Sequence, residues 1–204
     1  MKIVKVDPKD PDEKLISEAA GIVRNGGLVA FPTETVYGVA ANLLDDKAIE
    51  RLCRVKKRPA DKQLTIHIAD IRTLREMAGE IPPFAEKLIE SFWPGPLTII
   101  LNTKDGQKKG FRMPSNKIAL SLIRESGVPV VAPSANISGE RPPCTATEVR
   151  DGLGDGIDMI LDGGPTEDGM ESTVVDATAF PCKVLRERAI TAAEISQALG
   201  SLAR

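Results

Sequence analysis

Histidine occurs once in this 204-residue chain, at His67, and cysteine three times, at Cys53, Cys144 and Cys182. One histidine excludes a histidine-cluster metal site. The cysteines are odd in number, far apart and form no C-x-x-C. That excludes a disulfide framework or zinc ribbon and points to a reducing, cytoplasmic setting. Aromatics make up only 3% of the chain, so the core must rest on Val, Ile, Leu and Ala. Such a core suits packed helix and sheet layers better than an aromatic-rich sandwich. No apolar run approaches the length of a membrane span, and Met1 to Val6 reads as a strand rather than a signal peptide. Among catalytic and nucleotide-binding motifs, the Walker A loop, G-x-G-x-x-G and the G-x-S-x-G elbow are all missing.

What remains is ordinary in bulk. Hydrophobic residues make up 42% and charged residues 27%, with a formal net charge of −2. These values fit one soluble globular domain over residues 1–204, large enough to bury a core without staples. A near-neutral chain is not a general nucleic-acid coat. The charge is nevertheless clustered: Arg51, Arg54, Lys56, Lys57, Arg58 and Lys62 face a single acid, Asp61, within twelve residues. That pattern suits a local anion site.

Strand-like and helix-like segments alternate. Strands are expected at Ile3–Val6, Leu28–Phe31, Leu64–Ile68, Leu97–Leu101, Val128–Ala132, Ile157–Leu161, Thr173–Asp176 and Lys183–Leu185. Helices are expected at Asp12–Asn25, Asp46–Val55 and Ser115–Ser126. Two short helices follow Asp70 and Pro82-Pro83, and capping boxes at Thr145-x-x-Glu148 and Thr191-x-x-Glu194 open two more. The result is an α/β fold: an open, twisted, mixed sheet flanked by helices. Asn102–Gly110 reads as a mobile loop, and Gly163–Glu171 as a second.

Two strand ends resemble each other. Val29-Ala30-Phe31 runs into Pro32-Thr33-Glu34-Thr35, and Val131-Ala132 runs into Pro133-Ser134-Ala135-Asn136. Ligands of open α/β sheets bind beyond the carboxyl ends of strands, although turn chemistry alone also favours Pro, Ser and Asn there. Lys56-Lys57-Arg58-Pro59 follows a helix directly. Pro59 biases Arg58 to extended backbone, and residues two apart on extended chain point to the same side. Lys56 and Arg58 would then suit a polyphosphate. On charge alone, a solvated basic helix end is the simpler reading. His67 on its strand is by default a hydrogen-bonded residue rather than a catalyst. Arg112 before Met113-Pro114, Arg186 after the last strand, and the hydroxyls of Gly169-Met170-Glu171-Ser172-Thr173 complete the candidates.

Taken in order, these segments resemble the YrdC family. The resemblance is carried by Phe31-Pro32-Thr33-Glu34-Thr35-Val36-Tyr37-Gly38, Lys56-x-Arg58-Pro59, the strand ending in His67, and Trp93-Pro94-Gly95-Pro96-Leu97-Thr98. Arg112-x-Pro114, Ala132-Pro133-Ser134-Ala135-Asn136 and Glu171-Ser172-Thr173-Val174-Val175-Asp176 complete it. It spans about Asp12 to Thr191 and implies an open sheet with a deep basic cavity. The implied activity is synthesis of threonylcarbamoyl-AMP from ATP, L-threonine and bicarbonate, with Mg²⁺ arriving with ATP. The product would feed the machinery that modifies an adenosine beside the anticodon of certain tRNAs.

Carried over by position, Thr33, His67, Arg112, Ser134 and Ser172 would surround L-threonine, with Arg112 meeting its carboxylate. Lys56, Arg58, Asn136, Thr145 and Arg186 would hold ATP, and Thr35 would stand in the same wall. Lys56 and Arg58 would be catalytic, stabilising the leaving pyrophosphate. The extra C-terminal domain of longer relatives is expected to be absent, which would leave Asn102–Gly110 as a candidate lid. Arg186 is followed by Glu187-Arg188 where Pro-Gly is common in the family. Two other readings use the same surface: a double-stranded RNA or tRNA binding module, and a carbamoyl-phosphate or hydrogenase-maturation factor.

Overall fold

A computed structural model describes residues 1–59 and 62–200; Asp61, the one acid of the basic run, lies outside these. The elements are β1 (Lys2–Lys5), α1 (Glu13–Arg24), β2 (Val29–Phe31), β3 (Gly38–Asn42), α2 (Asp46–Val55) and β4 (Thr65–His67). Then come α3 (Ile71–Met77), α4 (Pro83–Phe92), β5 (Leu97–Asn102), β6 (Lys108–Arg112), α5 (Lys117–Ser126), β7 (Val130–Val131) and α6 (Ala146–Leu153). A 3₁₀ turn (Gly154–Gly156), β8 (Met159–Asp162), β9 (Thr173–Asp176), β10 (Lys183–Arg186) and α7 (Ala192–Leu199) complete the chain.

The helices begin where the capping chemistry says they should. Asp12, Asp45, Asp70 and Asn116 each accept from the first turn of their helices, and α6 and α7 both open with reciprocal capping boxes. Each cap satisfies amide donors that the helix itself cannot.

Ten strands form one sheet in the order β1-β8-β2-β3-β7-β4-β6-β5-β9-β10. Parallel pairs (β1 with β8, β8 with β2, β4 with β6, β5 with β9) mix with antiparallel ones. Two of these strands escape the sequence reading. β3 is Gly-Val-Ala-Ala-Asn, buried throughout, and its small residues give no alternating pattern. β6 begins Lys-Lys-Gly, which reads as a loop. The segment Asn102–Gly110 is therefore not a mobile loop. Its ends belong to β5 and β6, and residues 103–107 form the turn of that hairpin, closed by the Thr103 amide donating to the Gln107 carbonyl at 2.7 Å. Gly163–Glu171 is likewise tied down. Gly164 donates to Asp162 Oδ1, the Tyr37 hydroxyl donates to the Gly164 carbonyl at 2.7 Å, and the Thr166 and Asp168 amides donate to the Cys144 and Glu34 carbonyls.

Residues alternate between the sheet's two faces, and the faces are covered unequally. One face packs Ala30, Val39, Ile66, Phe111, Ile99 and Val175 against residues of α2, α3, α4, α6 and α7. The other packs Val29, Phe31, Ala40, Val130, Met159 and Leu161 against α1 and α5. That second core takes nothing from β4, β5 or β6. On this half of the sheet the face opposite the first core carries Thr65, His67, Gly110, Arg112 and Thr98. A polar floor without a helical cover is what places the site.

Candidate functional site

A cavity of about 320 Å³ opens on that floor, within the size range of small-ligand sites, about 300–1,000 Å³. Thr65 and His67 of β4, Arg112 of β6 and Thr98 of β5 form its base. Lys56, Arg58 and Lys62 close one side, Ala132 to Ser134 with Asn136 and Ser138 to Glu140 another, and Glu171, Ser172 and Arg186 a third. Gly110 lies between Thr65 and Thr98. A Cβ there would sit 3.3 Å from Thr98 Cγ2 and 3.5 Å from Thr65 Oγ1, so glycine keeps the floor deep.

The two matching strand ends do converge. β2 and β7 both pair antiparallel with β3, so they run in the same direction and end on the same side. Ser134 continues the pairing through a bridge to Gly38, and the Ala135 amide donates to the Tyr37 carbonyl at 2.8 Å. The site is nevertheless more than a strand-end crevice, because half of it is the bare sheet face.

Lys56 and Arg58 reach the cavity by a route other than extended chain. Lys56 caps α2, and Lys57 takes a left-handed backbone with φ 47°. The Arg58 amide then donates to the Cys53 carbonyl at 2.8 Å. This helix-ending turn brings both cations to the same wall. Lys56 is 1% exposed. Its Nζ donates to the carbonyls of Ser134 and Asn136. Burial, with the nearby charges of Arg58 and Lys62, lowers its pKa to about 8. Arg58 donates from Nη2 to the Gln63 carbonyl at 2.6 Å.

His67 is buried, and its pKa falls to about 3 because burial and the charge of Arg112 disfavour the imidazolium. It is a neutral hydrogen-bonding group. Arg112 is fixed by Gly95 O, by Thr35 Oγ1 at 2.9 Å and by an ion pair to Glu34. Ser172 Oγ meets Thr98 Oγ1 at 2.9 Å. Arg186 pairs with Glu171 at 2.8 Å and donates to the Ser172 carbonyl at 3.1 Å, so it stands in the wall despite the Glu187-Arg188 that follows it.

Of the sequence candidates, Lys56, Arg58, His67, Arg112, Ser134, Asn136, Ser172 and Arg186 line the cavity together. Thr33, Thr35 and Thr145 do not; Thr35 is fully buried behind Arg112, whose Nη2 donates to it. The Thr33 hydroxyl closes its own turn, accepting from the Thr35 and Val36 amides and donating to the Val36 carbonyl. Thr145 is the N-cap of α6. Several lining residues were missed. Thr98 and Glu171 sit inside quoted motifs, and Ser138 follows Asn136 by two. Thr65 shares a strand face with His67, and that alternation was the signal that could have found it.

The candidate lid fails on position. The hairpin turn lies at the start of β6 and Arg112 at its end, about 14 Å apart at the rise of a strand. No residue from 103 to 107 lines the cavity.

The fold is thus an open α/β sheet with a cation-walled, hydroxyl-floored cavity, a lining whose charge and donors suit a small anion. The family model described as "Telomere recombination", covering Sua5, YciO and YrdC proteins, matches residues 21–188. The threonylcarbamoyl-AMP synthase of Pyrococcus abyssi is 45% identical over 94% of this chain and 59% of its own length. That of Bacillus subtilis is 40% identical over 96% of this chain and 60% of its own. The crystal structure of P. abyssi Sua5 complexed with L-threonine superposes with a TM-score of 0.94 at 44% identity, over 98% of this chain and 61% of that one. The chain thus spans about three fifths of these relatives. It belongs to the Sua5/YciO/YrdC family.

Proposed function

We propose that the chain makes L-threonylcarbamoyladenylate from L-threonine, bicarbonate and ATP, as a nucleotidyltransferase releasing pyrophosphate. The observation that carries this reading is the division of the cavity. A neutral floor of Thr98, His67 and Ser172 surrounds one buried guanidinium, Arg112, which suits a small amino acid. A rim of Lys56, Arg58, Lys62 and Arg186 suits a polyphosphate. The relatives' names and the threonine complex of one of them support the same reading of the substrates.

Arg112 would meet the threonine carboxylate. The threonine amine and bicarbonate combine to a carbamate with loss of water. A carbamate oxygen attacks the α-phosphorus, the bond to the β-phosphate oxygen breaks, and pyrophosphate leaves. No side chain need form a covalent bond. The residues supply alignment and charge neutralisation, with Lys56 and Arg58 at the departing pyrophosphate. Thr33 and Thr145 would act through their turns, as positioning residues. Among the described residues no group of three or more His, Cys, Asp or Glu side chains comes together. Among the described residues, the carboxylates lining the cavity are Glu140 and Glu171. That set fits Mg²⁺ carried largely by phosphates and water, where it would neutralise triphosphate charge.

The product would serve a tRNA-modifying transferase in the cytoplasm. No helix among the described residues is long and apolar enough to cross a membrane. Double-stranded RNA binding is the less favoured reading. Recognition of a duplex by shape spans about 16 base pairs, whereas the cations here converge on one pocket. Product identification by mass spectrometry, with each substrate omitted in turn, tests the proposal; folded protein that yields no product would refute it.

A further inference from the structure

Glu34 is a buried acid with no role in the mechanism above. It does not line the cavity, whereas Arg112 does. The two side chains are 7% and 6% exposed, and Glu34 Oε1 lies 2.9 Å from Arg112 Nη2. The contact is an ion pair without hydrogen-bond alignment, and neither Glu34 oxygen has a hydrogen-bond partner among the described residues. A buried charge of this kind is costly unless it answers another charge.

Arg112 is the group it answers. Its Nε donates to the Gly95 carbonyl at 3.3 Å, and its Nη2 donates to Thr35 Oγ1 at 2.9 Å. Glu34, Thr35 and Gly95 thus hold one edge of the guanidinium. Nη1 has no protein partner among the described residues. The chain segment is itself anchored: the Asp168 amide donates to the Glu34 carbonyl at 2.8 Å. Asp168 adds a second acid nearby, its carboxyl pushed up by burial and by Glu34 and Glu167.

We infer that Glu34 is a positioning residue: from behind the cavity wall it fixes the guanidinium of Arg112, so that Nη1 is presented to the carboxylate of a bound amino acid. The inference rests on the threonine reading above. Without the Glu34 charge, the guanidinium would keep two weak neutral anchors and would turn among several orientations. Planar recognition of a carboxylate depends on one orientation. A purely structural role would change stability without separating the two substrates.

Two measurements on Glu34→Gln decide the matter. Rotation of the Arg112 guanidinium, followed by nitrogen NMR in ligand-free protein, should be hindered in the wild type and averaged in the variant. Titration with L-threonine should show at least a tenfold weaker affinity in the variant, with ATP affinity within twofold. Should Glu34→Gln fail to fold, Glu34→Asp keeps the charge, withdraws it by one methylene and should give the same pattern at smaller size. Equal hindrance in both proteins, or unchanged threonine affinity in a folded variant, overturns the inference. So does an equal loss for threonine and ATP. If the wild type binds no threonine, the functional reading falls, and the NMR comparison alone decides whether Glu34 positions Arg112.

Discussion

The ammonium of Lys56 is held on the carbonyl oxygens of Ser134 and Asn136. The end of one strand and the turn after one helix are thereby fixed to each other at the cavity wall. The Ser138 amide closes the link by donating to the Lys56 carbonyl at 2.7 Å. Lys56 is therefore both a cation of the site and a strut for the residues opposite.

Lys56→Ala should lose on the order of 2–4 kcal/mol of transition-state stabilisation, as should Arg58→Ala. Steady-state kinetics would show falls in kcat/KM of about thirtyfold to a thousandfold. Lys56→Arg should fail to restore activity, because a planar fork cannot take the two-carbonyl seat of an ammonium. A loss below tenfold in either alanine variant would remove that residue from the stabilisation of the transition state.

The pH profile carries a signature of the same lysine. Burial lowers its pKa from 10.5 to about 8, so its charge is lost as pH rises through that value. The alkaline limb of kcat/KM should follow it, and an activity that stays flat from about pH 7 to 9 would show that the charge of Lys56 is not required. Stability moves the other way. Between about pH 8 and 10.5 the unfolded chain holds a proton that the folded chain lacks, so stability rises with pH there. Urea titrations of the wild type against Lys56→Met, across that window, check the sign.

His67 works in the acid range. Its pKa drops from 6.5 to about 3 in the folded chain. Below pH 6.5 the unfolded state takes up a proton that the folded state refuses, so stability is lost as pH falls towards 3. His67→Asn should flatten that part of the stability curve. A variant that keeps the full acid loss would show that His67 is not its source.

Gly110→Ala places a methyl on the cavity floor against Thr98 and Thr65. Threonine affinity should fall severalfold while the thermal midpoint changes little, as calorimetry would show. Unchanged affinity would mean that the ligand sits elsewhere. The hairpin turn should be silent: Lys104→Glu is expected to leave the KM for ATP unchanged, since that turn is remote from Arg112.

Much of this arrangement is legible in the sequence, and the reasons for the exceptions are physical. The helix starts at Asp12, Asp70, Thr145 and Thr191 are readable because each side chain acts locally on its own first turn. Buried strands such as Leu97–Leu101 announce themselves by composition. β3 and β6 do not, because Gly38 to Asn42 is built of small residues and Lys108 to Gly110 of two lysines and a glycine, so neither shows an alternating apolar pattern. The ordered motifs pointed to most of the cavity. They could not tell that the Thr33 and Thr145 hydroxyls are already engaged in turns, since motif position says nothing about which atoms are free. Glu34 stands in plain view beside Thr33, but its pairing with Arg112 joins the loop after β2 to the end of β6 and is visible only once the sheet is assembled.

The central claim is that this cavity joins threonine, bicarbonate and the adenylate of ATP. Carbon-13 bicarbonate tests it most directly. With ATP, Mg²⁺ and L-threonine present, mass spectrometry should find one labelled carbon in threonylcarbamoyl-AMP and one pyrophosphate per product. Pyrophosphate without labelled product, or no turnover by folded protein, would contradict it.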